Sequence, residues 1–343
     1  MTQHRRHTLL FTLLSIGTAV FFLWDLCYGS VRIPLPDVVR TLFGGEATKA
    51  SWTYIVWDFR LPKALTAVMA GMALSVSGLM MQTFFRNPLA GPYVLGLSSG
   101  SSLAVAFVVM GSAFLPGSIA VALASPYGIA AASCIGSLVV LFAVLTVARH
   151  LRDTMSILIV GLMFGSFTSA ITGILSYLST AEQLQRFTFW SLGSLGNLSW
   201  EAVAIVAIGT GIGLALAAFC IKALDALLLG EHYAQTLGIP MARTRIWVLL
   251  SVGILAGVIT AFAGPIAFVG LAVPHIARLL FRTSRHSVLF FATLLLGGAI
   301  MLVCDALCQF PGLEIQLPIN AVTSLLGAPM VIWLLLNKRK WAS

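Results

Sequence analysis

Charge is scarce in this chain of 343 residues: Asp, Glu, Lys and Arg together make up 9%, against 59% for hydrophobic residues. Soluble domains carry about 25% charged residues, so the scarcity excludes a water-soluble globular protein, and a mean hydropathy of +0.99 agrees. Acidic residues are scarcest, 11 against 20 Lys and Arg, for a formal net charge of +9. That excess does not mark a nucleic-acid binder, because the basic residues stand in short clusters between apolar runs and build no basic domain. The five cysteines, Cys27, Cys134, Cys220, Cys304 and Cys308, show no C-x-x-C or zinc-finger spacing, which argues against a disulfide framework or a structural zinc. No G-x-x-x-x-G-K-[ST] run is present, so nothing cradles nucleotide phosphates. If ATP drives this protein, another chain binds it.

What is present is a series of long uncharged runs. A bilayer core needs about 20 apolar residues per helix, since each backbone N–H and C=O must be satisfied without water. Residues 8–24, 64–85, 154–181, 202–221, 286–304 and 315–337 each accommodate one helix. The first of these could be a cleavable signal, but Asp25 and Leu26 stand before Cys27 where small residues are needed, so it is kept as a membrane helix. The run 87–148 is broken by turn signals at 111–117 (GSAFLPG) and 125–128 (SPYG), and holds two helices. The run 246–277 holds either one long helix or two that break at Gly264-Pro265. Charge decides: with two, the clusters Arg5/Arg6, Arg86, Arg149/Arg152, Lys222/Arg243/Arg245, Arg278/Arg282/Arg285 and Lys338/Arg339/Lys340 all lie on one side, as the positive-inside rule requires. The expectation is an all-α polytopic membrane protein of ten transmembrane helices in one permease domain spanning 1–343, both termini cytoplasmic. Its outer segment 28–63 contains PLPDVVRTLF, with the spacing of a short surface helix.

Several motifs admit more than one reading. Arg60 and Lys63 at one membrane edge, and Arg86 at the other, suit interfacial anchors. Gly96-Leu97-Ser98-Ser99-Gly100 matches the G-x-S-x-G of hydrolases, but it begins an apolar helix with no strand before it. Small-residue packing accounts for it better. The fifth span places Gly161, Gly165, Thr168, Ser169, Thr172 and Ser176 on one face; such a stripe either lines a passage or makes a close helix contact, and Gly209/Gly213 and Gly253/Gly257 repeat its spacing. Asp305 is the one acidic residue well inside a predicted span, a costly position that raises proton-coupled secondary transport as an alternative function. No basic residue of the spans is its evident partner. In the loop 222–245, Glu231 through Leu237 reads as a short helix stopped at Gly238, with Pro240 preventing continuation.

RLPK at 60–63, GMALSVSG at 71–78, RNPLAGPYVLGLSSG at 86–100, WSLGSL at 190–195, LLGEHYAQTLGI at 228–239, GPIAFVGLAVPHIARLL at 264–280 and LPINAVTSLLGAPMVIWLLL at 317–336 resemble the FecCD family of permeases, in order and over nearly the whole chain. The resemblance implies a non-enzymatic membrane subunit of a type II ABC importer for iron-siderophore, haem or cobalamin, in the bacterial inner membrane. It further implies a homodimer with two cytoplasmic ATPase subunits, which hold ATP and Mg, and one extracytoplasmic binding protein. On the same ground Glu231, Ala234, Leu237, Gly238 and Ile239 form the ATPase-coupling loop. Arg60 is the basic docking position for the binding protein, and Lys63 stands beside it where Arg is more usual. Gly165, Ser169, Thr172, Ser176, Phe187 and Trp190 line the translocation path. No cofactor or metal is expected on this chain.

Overall fold

The computed structural model describes residues 3–111, 122–151, 154–196, 198–309 and 316–341. Most of the turn signal at 111–117 and the basic residue Arg152 lie outside them. The helices are α1 (Gln3–Cys27), α2 (Leu35–Leu42), α3 (Ala50–Tyr54), α4 (Leu61–Phe84), α5 (Leu97–Met110), α6 (Pro126–His150), α7 (Thr154–Leu178), α8 (Ala181–Ser191), α9 (Trp200–Phe219), α10 (Ile221–Leu227), α11 (Glu231–Thr236), α12 (Met241–Ala263), α13 (Val269–Phe281), α14 (His286–Leu307) and α15 (Ile319–Trp341). A π-helical turn, Ile55–Arg60, joins α3 to α4, and a 3₁₀ turn, Pro92–Leu95, precedes α5. No strand occurs among the described residues; Gln309 and Gln316 make one isolated bridge.

Among the described residues seven helices are long and apolar enough to cross a membrane, and three shorter apolar helices, Leu97–Met110, Val269–Phe281 and Ile319–Trp333, occupy the remaining expected spans. The run 246–277 does break at Gly264, which caps α12 at φ +75°, a conformation that costs glycine little. The surface helix expected in PLPDVVRTLF is α2, with Pro34 before its first turn. Its Asp37 accepts hydrogen bonds from the backbone and hydroxyl of Thr48, and these hold the carboxyl below the usual carboxylate range.

The chain forms two compact units. One comprises Met1–Val76, Ser194–Ile208 and Ile266–Ser343. Within it α1 packs on α14, and α14 on α13 and α15. The closest crossing is glycine against glycine: a Cβ on Gly71 of α4 would stand 2.1 Å from the Gly297 carbonyl oxygen of α14, and one on Gly297 2.3 Å from the Gly71 oxygen. At the start of α1, Arg6 donates to the Leu280 carbonyl near the end of α13, and Phe11 stacks on the buried Phe281.

The other unit comprises Ser77–Gly193 and Gly209–Pro265. Here α5 packs on α6 and α7, and α6 on α12. Gly100 and Gly136 repeat the backbone crossing, with a Cβ on Gly136 only 2.2 Å from the Gly100 oxygen, and the Ser101 and Ser137 hydroxyls bond beside it. The repeated glycine spacings are packing surfaces: Gly209 and Gly213 of α9 receive Val258 and Leu255 of α12, while Gly253 and Gly257 receive Leu141 and Ser137 of α6. Lipid tails are as apolar as leucine, so such helices associate through close packing and polar contacts rather than hydrophobic drive.

Gly71→Val should therefore lower the unfolding temperature in detergent sharply, an overpacking cost of about 3 kcal/mol or more. Gly17→Val, on open α1 surface with nothing within 4 Å, should leave it within a degree or so; equal effects would dismiss the crossing as a constraint.

Candidate functional site

Two polar constellations stand out, one in each unit. The first is the loop between α10 and α12. Gly230, at φ +113°, opens α11, and Gly238, at φ +81°, ends it. The Ile239 amide bonds back to the Ala234 carbonyl and the Gly238 amide to that of Gln235, the paired bonds of a Schellman stop. Ala234 is fully buried, which pins one face of this short helix. Tyr233 and Leu237 are nevertheless 53% and 57% exposed, with Leu228 and Leu229 exposed just before. Glu231 forms an ion pair with Arg245 in the first turns of α12, and Arg245 also donates to the Leu151 carbonyl at the end of α6, 2.8 Å away. One buried guanidinium thus ties α11, α12 and α6 together. Ile239 is half-buried. A cleft of about 880 Å³ opens beside this junction, lined in part by Arg149, Leu151, His232, Gln235 and Met241.

The second constellation lies where α1, the π turn, α4 and α14 meet. Arg60 is only 8% exposed, and its guanidinium donates to the carbonyls of Leu26 and Val31, fastening the chain that leaves α1. Lys63, one turn on, reaches Asp305 of α14 at 3.0 Å, and Gln309 donates to the second carboxylate oxygen at 3.4 Å. Asp305 is 1% exposed and Asp25 of α1 is 3% exposed beside it. This corrects one expectation. Asp305 has a basic partner after all, one that the great separation in sequence hides. The heads of Arg60 and Lys63 both bond within the protein. Asp25 is a second buried carboxylate that the sequence reading passes over, since its place at the end of the first apolar run looks interfacial. Cys304 and Cys308 adjoin Asp305 as free thiols, and no group of His, Cys, Asp or Glu suited to a metal exists among the described residues.

The stripe on α7 divides. Gly161 meets the 3₁₀ turn, where a Cβ would lie 2.7 Å from the Val94 oxygen, and Gly165 faces the Ser99 hydroxyl. Thr168, Thr172 and Ser176 follow on that side and return their hydroxyls to carbonyls of their own helix, with Ser176 also reaching the Met110 sulfur. Ser169 is exposed. Phe187 and Trp190 of α8 stack at 6.1 Å, both half-buried. Ser98 lies in the first turn of α5, preceded by the 3₁₀ turn rather than a strand, so the nucleophile-elbow context is absent.

A series of apolar helices of membrane-spanning length, with buried ion pairs and one rigid polar loop, defines a multi-pass membrane permease. The chain belongs to the FecCD transport family, whose family model matches residues 17–337. Among its relatives, the hemin transport system permease protein HmuU of Yersinia pestis is 34% identical over 96% of this chain and 97% of that protein. The vitamin B12 import system permease protein BtuC of Serratia proteamaculans is 36% identical over 97% of this chain and 93% of that protein. A solved structure described as an inward-facing metal-chelate type ABC transporter superposes with a TM-score of 0.83 at 25% identity, covering 96% of this chain and 99% of that one.

Removing one partner of the inner ion pair should be costly. Lys63→Met leaves Asp305 buried without its cation and is expected to destabilise by about 3 kcal/mol or more, read as thermal unfolding in detergent, while the double change with Asp305→Leu recovers most of the loss. A double variant no better than the single would show that the pair is not coupled. At the loop, Glu231→Gln keeps the shape but removes a charge-assisted bond worth roughly 1–2 kcal/mol when partly exposed. Amides 232–238 should then exchange hydrogen about tenfold faster, with the interior of α12 unchanged.

Proposed function

We propose that this chain is the membrane subunit of an ATP-binding-cassette importer that carries a metal chelate into the cytoplasm. The observation that carries the reading is the loop around α11: a short helix stopped at both ends by glycine, bonded through Glu231 and Arg245 to two long helices, and apolar on its outer face. A rigid element of that kind transmits a partner's movement into the bundle. The relatives named for hemin and vitamin B12, and the solved metal-chelate transporter, support a chelated metal as the cargo. Iron-siderophore, haem and cobalamin are the candidates.

In this reading residues 1–343 form a single permease domain, two copies pair in the bacterial inner membrane with both termini in the cytoplasm, and each α11 docks on one ATPase subunit. ATP and Mg bind to those subunits and hydrolysis occurs there. Glu231, Ala234, Leu237, Gly238 and Ile239 couple closure of the ATPase pair to the helices. The cargo passes along α7 and α8, by Gly165, Ser169, Thr172, Ser176, Phe187 and Trp190, at the interface between copies. A loaded binding protein docks outside; Arg60 and Lys63 shape that docking edge by holding the chain after α1 and the end of α14. The two conformations alternate because ATP and the loaded binding protein bind them unequally. Asp305, paired with Lys63, serves here as part of a structural ion pair.

The test is ATPase activity of the purified chain in lipid with each ATP-binding-cassette ATPase subunit of its host, with and without binding protein loaded with ferric siderophore, cobalamin or haem. Stimulation by one loaded binding protein, several-fold over the unloaded form, is the expected outcome and identifies the cargo. Failure to associate with any such ATPase would refute the importer reading.

A further inference from the structure

The cleft beside α11 has an unbalanced charge. Of its ionisable side chains, Arg245 and Glu231 neutralise each other, and Arg245 is further committed to the Leu151 carbonyl. What remains is Arg149, near the end of α6, exposed and in no ion pair among the described residues, with the exposed His232 opposite. Among the described residues no second carboxylate lines the space. Its other walls are apolar, Leu151, Met241 and Ile246 among them, apart from the amide of Gln235. At about 880 Å³ it lies within the range of roughly 300–1,000 Å³ that encloses a small ligand or a few side chains.

We propose that this cleft receives an acidic segment of the ATPase subunit, with Arg149 reading its carboxylate. The inference rests on the importer reading above and deepens it by naming the chemistry of the partner's contact. A protein segment fits because His232 and Gln235 of the cleft stand on α11 next to Tyr233 and near Leu237, both exposed, with Leu228 and Leu229 exposed just before it. An apolar patch rimmed by polar groups on a loop outside the spans is the character of a protein contact. A guanidinium at the edge of such a patch supplies the bidentate carboxylate recognition that an ammonium does not. Glu231 matters to this selectivity: although it lines the cleft, its pairing with Arg245 keeps it from cancelling Arg149.

The experiment measures the dissociation constant between the chain, in nanodiscs of neutral phosphatidylcholine, and the ATPase subunit that supports its activity in the assay above, as a function of salt. Arg149→Gln should weaken binding about tenfold, or about 1.4 kcal/mol, and flatten the salt dependence. Arg149→Glu should weaken it further, and Arg149→Lys should keep the salt dependence while losing part of the affinity. Arg243→Gln, an exposed cation outside the cleft, should bind as wild type. Equal affinity for wild type and Arg149→Gln would overturn the proposal while leaving the importer reading intact. A difference that appears only in discs containing anionic phosphatidylglycerol would overturn it in favour of a lipid headgroup site. Wild-type chain that binds no ATPase subunit would remove the importer reading itself, and the proposal with it.

Discussion

The bilayer core offers no water to a backbone amide or a side-chain charge, and the rest of this structure follows from that. Each N–H and C=O finds its partner within a helix, and helices surrounded by lipid must associate by contact at short range. The crossings of Gly71 with Gly297 and of Gly100 with Gly136 bring backbones so close that a methyl group has no room. These contacts set where neighbouring residues of α4, α14, α5 and α6 sit, and so where the few polar side chains meet.

Buried charge is handled by the same rule. Lys63 and Asp305 neutralise each other, Gln309 supplies another donor, and Arg60 spends its guanidinium on the Leu26 carbonyl at the end of α1 and the Val31 carbonyl in the segment that follows. Removing charges from water costs several kcal/mol each unless geometry compensates, so such residues are held tightly. The α1, π-turn, α4 and α14 segments that meet here are fastened together as a result. The rigidity of that edge arises from desolvation cost rather than from surface charge.

The loop around α11 applies the rule at the boundary with water. Six residues make too short a helix to persist alone; the Schellman bonds, the buried Ala234 and the ion pair to Arg245 hold it in place. Once held, it shows an apolar face that bilayer insertion does not explain. The coupling role proposed for it grows out of that contrast between buried anchors and exposed apolar side chains.

Much of this was legible from sequence for reasons that are local. Apolar run length, turn residues and the distribution of Arg and Lys determined the helix count, the break at Gly264-Pro265, the surface helix α2 and the stop at Gly238, because each depends on residues adjacent along the chain. The family motifs added the functional class. Tertiary structure alone decided which residues meet: that Asp305 finds Lys63, that Arg60 turns inward to the carbonyls of Leu26 and Val31, that Asp25 is buried, and that Arg245 joins α11 to α6. Those contacts join segments far apart in sequence, and periodicity reports only which face of a helix a residue occupies, never which distant helix that face will touch.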